Sequence, residues 1–248
     1  MAVLIIIPAF NEEAALPATL AEIHRAQPDA EIAVVDDGSR DATAAVARAA
    51  GARVLPLPFN VGVGGAVRTG LRCAAEGGFD RAVVVDADGQ HDPAGITQLL
   101  RALDEGADLA IGSRFAPGAP EYAVGRTRRR AMQLLQRIVK MRTGQSFTDV
   151  TSGYRGFSRP TIEVLAAHYP AEYLADTVEA LLIVHDRGGR IVEVAVPMRP
   201  RAGGVPSSRG FVLVLNYLRL LVGILSSTLF SRTREKPGRG APDDAEEE

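Results

Sequence analysis

The feature that most constrains this chain is a repeated unit. A short, wholly apolar run ends in polar residues and is followed by a stretch with helical spacing. Val3 to Ile7 leads into Pro8-Ala-Phe-Asn-Glu12, and Ile32 to Val35 into Asp36-Asp-Gly-Ser39. Ala82 to Val85 leads into Asp86-Ala-Asp88, and Leu109 to Ile111 into Gly112-Ser-Arg114. Ala52 to Leu57 adds a further strand. Apolar runs without alternation are strands buried on both faces. Such strands alternating with helices predict an α/β fold, a mostly parallel sheet flanked by helices. Ligands of these sheets bind beyond the carboxyl ends of the strands. Asn11, Asp36, Asp37, Asp86, Asp88, Ser113 and Arg114 all fall at that one edge, whereas incidental polar turns would be divided between both edges.

The helices are placed by their start signals. Asn11 is expected to cap a helix with Glu12 and Glu13 in its first turn, and Ser39 to cap one from about Arg40 to Ala50. Gly62 to Glu76 reads as a third helix, and Asp92-Pro93 opens a fourth that runs to about Glu105. Helices are expected near Arg159–Ala167 and Asp176–Asp186, and a last strand at Ile191–Pro197.

The chemistry concentrates in Asp86-Ala-Asp-Gly-Gln-His91. Read as extended backbone, Asp86 and Asp88 point the same way and converge at the strand's end. Two close carboxylates repel unless a cation lies between them. Oxygen ligands suit Mg²⁺ or Mn²⁺, which also bridge to substrate phosphates. The residues thus point to a divalent metal carrying a nucleotide diphosphate, against the plainer reading of a solvated turn. Gly62 and Gly64 have dinucleotide-loop spacing, but Val67 stands where the third glycine belongs, which argues against a nicotinamide enzyme.

Composition closes off other classes. One cysteine, Cys73, excludes an internal disulfide and reads as a packing residue in a reducing compartment. Met1-Ala-Val-Leu has no basic leader. The net charge is −2, but the last eight residues hold five acids and no base, so the chain before them is net +3. Nothing in this balance points to nucleic acid. Arg126 to Arg142 reads as a basic amphipathic helix with Met132, Leu135, Ile138 and Val139 as its apolar stripe, suited to anionic lipid. Arg199, Arg201 and Arg209, with Ser207 and Ser208, lie in a Gly/Pro-rich loop able to close over a phosphate. Gly210 to Phe230 is long enough to span a bilayer, but Asn216 and Arg219 favour lying at the interface or packing on the domain. The expected organisation is a catalytic domain over 1–208, an apolar membrane-associated helix over 209–231 and a disordered charged tail over 232–248.

Taken in order, Ile7-Pro-Ala-Phe-Asn-Glu12, Val35-Asp-Asp-Gly-Ser-Arg-Asp41, Asn60-Val-Gly-Val-Gly64, Asp86-Ala-Asp-Gly-Gln-His91, Gly112-Ser-Arg-Phe115 and Thr151-Ser-Gly-Tyr-Arg155 resemble family 2 inverting glycosyltransferases of the GT-A fold. Within that family the chain is most similar to dolichol-phosphate (polyprenyl-phosphate) mannosyltransferases, over about residues 3–208. The resemblance implies that Pro8, Phe10, Glu12 and Asp37 hold the nucleoside. It implies that Asp86, Asp88 and Gln90, with Ala87 between them, bind the metal and donor diphosphate, and that Arg114 and Arg201 meet phosphate. His91 is implied as a loop support. Phe10 replaces the more usual Tyr, and Gly89 the Leu common in the polyprenol enzymes.

The implied reaction is a direct displacement at the anomeric carbon, with a Mg or Mn cation stabilising the departing diphosphate. A lipid-phosphate acceptor arrives ionised and needs no strong base. A hydroxyl acceptor needs a carboxylate base, and Asp149 holds the matching family position. A nucleotidyltransferase is a further alternative, but its phosphate loop with Lys or Arg after the first strand is replaced here by Ala9-Phe-Asn-Glu-Glu13. A membrane-docked scaffold without activity is the last. The expected setting is the cytoplasmic face of the cell membrane.

Overall fold

The computed structural model of the chain describes residues 1–120, 124–170 and 175–199. Arg201 and the segments 209–231 and 232–248 therefore lie outside the described residues, and so do their expected roles. Seven strands and seven helices follow one another among those described. In chain order they are β1 (Val3–Ala9), α1 (Leu16–Ala26), β2 (Glu31–Asp36), α2 (Thr43–Ala49), β3 (Arg53–Pro56), α3 (Val63–Glu76) and β4 (Arg81–Val84). After these come α4 (Ala94–Asp104), β5 (Leu109–Ser113), α5 (Arg126–Thr143), β6 (Arg155–Ser158), α6 (Arg159–His168), α7 (Ala175–Asp186) and β7 (Ile191–Ala195).

The strands form one sheet in the order β3-β2-β1-β4-β6-β5-β7. Every pair is parallel except those made by β6, which runs antiparallel to both β4 and β5. The mostly parallel α/β sheet matches the expectation. The exception is β6, since Asp149 to Phe157 reads in sequence as a returning turn. All four β6 residues are buried, too few to show a period. Gly156 lets β6 lie close beneath α4, because a Cβ there would stand 3.2 Å from Leu103 Cδ1.

β1 shows why an unbroken apolar run makes a central strand. Leu4, Ile5, Ile6 and Ile7 are fully buried. Leu4 and Ile6 join the core on one face of the sheet, Ile5 and Ile7 the core on the other, as a two-residue period requires. Each contributes about 1.5–3 kcal/mol of burial. α3 approaches this strand through Gly70, where a Cβ would sit 2.3 Å from Ile6 Cγ2. Cys73 is buried on the same helix, and burial pushes its thiol up, as befits a packing residue.

Two helix starts differ from the sequence reading. α1 begins at Leu16 and not after Asn11, and α2 at Thr43 and not Arg40. Asn11 takes a left-handed φ of 55°, and its Oδ1 accepts the Arg40 N–H at 2.9 Å. Ser39 Oγ accepts the Asn11 N–H at 2.9 Å. Both side chains that read as helix caps instead cross-link two loops at the sheet edge. Among the described residues no helix is long and apolar enough to cross a membrane.

Candidate active site

The acidic turn leaves the sheet one residue earlier than the sequence suggests. β4 ends at Val84, and 87–89 form a turn in which Gly89 has φ 75°. The two-residue strand period therefore does not set the directions of Asp86 and Asp88. Asp88 is turned inward, 6% exposed, and its Oδ1 accepts the Gln90 N–H at 3.0 Å. Asp86 is open, with 41% of its side chain exposed. The Ala87 carbonyl is tied to α1 by the Thr19 hydroxyl at 3.0 Å, so Ala87 fixes the turn by its backbone.

His91 braces this turn. Its Nδ1 accepts the Asp86 N–H at 3.0 Å, which leaves the proton on Nε2, 3.4 Å from Asp86 Oδ2. The ring is buried and stacks on Tyr154, with centroids 4.4 Å apart. The Tyr154 hydroxyl donates to the Asp92 carbonyl at 2.8 Å, and burial pushes it well above the ordinary phenol range. Tyr154 fits because Gly95 and Gly112 bear no side chain, since a Cβ on either would lie inside van der Waals contact with its ring, at 2.7 and 3.1 Å. His91 is thus a support, as the family likeness implies.

Two carboxylates and an amide make a hard-oxygen donor set that fits Mg²⁺ or Mn²⁺ better than softer metals. Among the described residues no cluster of three or more His, Cys, Asp or Glu forms a metal cage. Asp86, Asp88 and Gln90 would hold an ion only with substrate oxygens completing its shell, the usual manner of Mg²⁺.

The loops after β1 and β2 make the neighbouring wall. The Glu12 N–H donates to Thr43 Oγ1 and the Glu13 N–H to Asp41 Oδ2, while Glu13 Oε2 accepts the Ala42 N–H. Pro8 and Glu12 are half-buried and Phe10 is 43% exposed. Asp37 differs from these. It is 3% exposed, and its two oxygens accept the Val61 and Gly62 N–H groups at 2.7 and 2.9 Å. Burial pushes its carboxyl up, against the two amides that favour the charged form. Asp37 clamps the entry to α3, and the exposed Phe59 and Val61 flank that clamp. Gly38 sets the spacing, since its φ is 71° and a Cβ would meet Phe59 C at 2.7 Å.

On the other side of the acidic turn, Arg114 and Asp149 form a closed pair. Arg114 Nε and Nη2 donate to Asp149 Oδ2 and Oδ1 at 2.6 and 2.7 Å, and the Arg114 N–H to Oδ2 at 3.3 Å. Asp149 is fully buried. Both of its oxygens are engaged by the guanidinium, so this geometry suits holding a cation in place better than general-base work.

Four side chains here carry no assigned role in the sequence reading. Arg155 is buried and donates to the carbonyls of Val150, Ser152 and Thr177, and burial pulls its guanidinium down. Asp176 at the head of α7 is 4% exposed, and burial pushes its carboxyl up to about 6, against Arg155 and with Asp86 adding to the rise. Its signal was legible: an acid at the head of the stripe Asp176, Ala180, Val184, all buried. Thr148 and Glu193 are the other two. Arg199, expected to close on a phosphate, is engaged elsewhere. It pairs with Glu22 at 2.5 Å and Asp92 at 2.9 Å, while its N–H donates to the Gln90 carbonyl at 2.9 Å. These contacts pin the segment after β7 to the acidic turn.

Comparison with known proteins identifies the family and the fold. The family model described as glycosyl transferase family 2 matches residues 4–165. The chain is 31% identical to polyprenol monophosphomannose synthase of Mycolicibacterium smegmatis over 214 residues, 84% of this chain and 81% of that one. It is 34% identical to undecaprenyl-phosphate mannosyltransferase of Micrococcus luteus over 219 residues, 86% of this chain and 90% of that one. Among solved structures, glucosyl-3-phosphoglycerate synthase from Mycobacterium tuberculosis, in complex with Mn²⁺, uridine-diphosphate-glucose and phosphoglyceric acid, superposes with a TM-score of 0.71. That likeness covers 91% of this chain and 79% of that one at 24% identity, and it is a likeness of fold.

Proposed function

The chain belongs to glycosyl transferase family 2, and from that premise we propose that it moves a sugar, with inversion, from a nucleotide-diphosphate sugar to a polyprenyl phosphate. Of two relatives that it matches over most of its length, one is named for making polyprenol monophosphomannose and the other for undecaprenyl phosphate. The observation in this chain that carries the reading is the Arg114–Asp149 pair. The carboxylate at the position of a general base has both oxygens bound to a guanidinium and no exposure. An acceptor that arrives ionised does not need that base. It needs a fixed cation.

In this reading Asp86, Asp88 and Gln90 hold a Mg²⁺ or Mn²⁺, whose charge opposes that of the departing diphosphate. Pro8, Phe10 and Glu12 line the nucleoside, and Asp37 shapes that wall by clamping the Val61–Gly62 amides. Arg114, held by Asp149, meets the acceptor phosphate, and Arg201 is assigned to the donor from its position in the sequence alone. The outer face of α5 is the membrane contact. Arg129, Arg130, Arg137 and Lys140 are exposed there beside Leu134 and Met141, which are 47% and 78% exposed. Cations interleaved with apolar side chains suit an anionic lipid surface, at the cytoplasmic face of the membrane. The apolar segment 209–231 fits the same role.

The test is a matched pair of acceptors, one polyprenyl chain ending in phosphate and the same chain ending in a hydroxyl, each offered with Mn²⁺ and a panel of sugar nucleotides. Transfer to the phosphate alone is expected, and equal transfer to the alcohol overturns the reading. For the membrane contact, loss of residues 210–248 is expected to weaken partition into anionic vesicles.

A further inference from the structure

The support of Arg114 reaches beyond Asp149 to a carboxylate on the edge strand. Glu193 lies in the middle of β7, opposite Ile111 of β5. Its Oε1 accepts the Asp149 N–H at 2.7 Å and the Thr148 N–H at 2.9 Å. Its Oε2 accepts the Thr148 N–H at 2.7 Å and the Thr148 hydroxyl at 3.0 Å. Thr148 Oγ1 also meets Ser113 Oγ at 2.6 Å, and Ser113 Oγ accepts the Phe115 N–H at 3.1 Å. Both neighbours of Arg114 in the chain are thereby tied to the same point as its counter-ion.

We propose that Glu193 is a positioning residue for sugar transfer, holding the Thr148–Asp149 backbone so that Asp149 presents the Arg114 guanidinium in one orientation. Two successive amides aimed at one carboxylate form a concave anion seat, and bonds to a charged acceptor are about twice as strong as neutral ones. The choice of a carboxylate is costly for stability alone, because it places a second negative charge beside Asp149. Arg114 and the buried Arg155, whose charge interacts with both Asp149 and Glu193, offset that cost. The acid is thus matched to a locked cation. The proposal rests on the reading that Arg114 meets a phosphate only for which substrate is affected, not for the relay itself.

The experiment measures KM for donor and acceptor separately in Glu193→Gln, Arg114→Lys and the double variant, with Mn²⁺ present. Misplacing a group by about 1 Å can cost on the order of a hundredfold. We expect Glu193→Gln to lower kcat/KM for one substrate by roughly tenfold to a hundredfold. Arg114→Lys should move the same parameter, and the double variant should lose little more than the worse single. The relay is overturned if Glu193→Gln lowers only the melting temperature, if it moves a different parameter from Arg114→Lys, or if the two losses multiply. If both variants move the donor KM, the relay stands and the assignment of Arg114 to the acceptor falls.

Should Glu193→Gln fail to fold, Thr148→Val and Thr148→Ser carry the same test. The first deletes the hydroxyl that joins Glu193 to Ser113, and the second keeps it. A loss of kcat/KM in Thr148→Val that Thr148→Ser restores supports the relay, and equal behaviour of the two refutes it. Gln145→Ala is the control for mere loosening of the strand. It removes a different bond to β7, from Gln145 Nε2 to the Ile191 carbonyl at 3.0 Å, and is expected to leave both KM values unchanged.

Discussion

The two walls beside the acidic turn are built on different principles. On the side of the loops after β1 and β2, Asn11, Glu13, Asp37, Ser39, Asp41 and Thr43 spend their oxygens on backbone N–H groups of neighbouring loops. Four of them are solvent-exposed or half-buried, and Asp37 and Thr43 are the exceptions. On the side of β5 and β6, Arg114, Asp149, Arg155 and Asp176 are charged groups at most about a tenth exposed. The first wall is a stitched frame whose shape matters. The second is a buried charge network whose electrostatics matter. A frame tolerates the loss of one stitch because water replaces it. A buried network does not, since each removed charge leaves its partner without solvent.

That contrast sets an order of expected effects. The largest belongs to the turn between the walls. Asp88→Asn is expected to lower transfer by on the order of a thousandfold, equivalent to several kcal/mol of metal-borne stabilisation. The checks are steady-state kinetics with Mn²⁺ and circular dichroism showing an unchanged fold. A fully active Asp88→Asn protein would falsify the metal-diphosphate assignment.

Asp149→Asn tests the buried network. Stranding Arg114 is expected to cost about 3–5 kcal/mol of stability, read as a shift of the urea midpoint. A shift within the range of a surface pair, about 0–1 kcal/mol, would erase the distinction between the walls.

Asp176 gives that network a pH signature. Its carboxyl titrates at about 6 when folded against 3.8 as a free side chain. The folded protein therefore holds the proton more tightly, and stability falls as pH rises from near 4 to near 6, then levels off. Asp176→Asn is expected to flatten that slope, worth at most about 3 kcal/mol. Urea midpoints taken across this window decide it, and an unchanged slope would place the titration on another group.

The frame should respond least, and through shape. Gly38→Ala forces a left-handed φ on alanine and drives a methyl into the Phe59 backbone, an expected cost of about 1–3 kcal/mol. Donor KM should rise while acceptor KM stays constant. A rise in acceptor KM instead would show that the walls are coupled.

Much of this was legible because local rules fixed it. Val3–Ile7 and Ile32–Val35 had no alternative to central strands, and the polar residues after them had to share one edge. The stripe Met132, Leu135 and Val139 gave the period of α5 but not its partner, since it is buried in the domain and not offered to lipid. The failures are equally local in cause. Asn11 and Ser39 carry cap chemistry, but a cap side chain accepts from any amide within reach, and here the reachable amides belong to another loop. The acidic turn reads as extended, yet β4 ends at Val84 and 87–89 turn, with Gly89 in a left-handed conformation.

The amino-acid sequence by itself determined the parallel strands of the sheet, the edge at which their polar ends gather and the hard-oxygen residues able to hold a cation, because burial period and side-chain chemistry are properties of short segments. Only the tertiary structure decided that Asp37 is a clamp, that Asp149 is bound to Arg114, and that Glu193 underpins both. Those roles depend on which distant groups fill a carboxylate's acceptor sites, and that is set by how strands far apart in the chain are brought side by side.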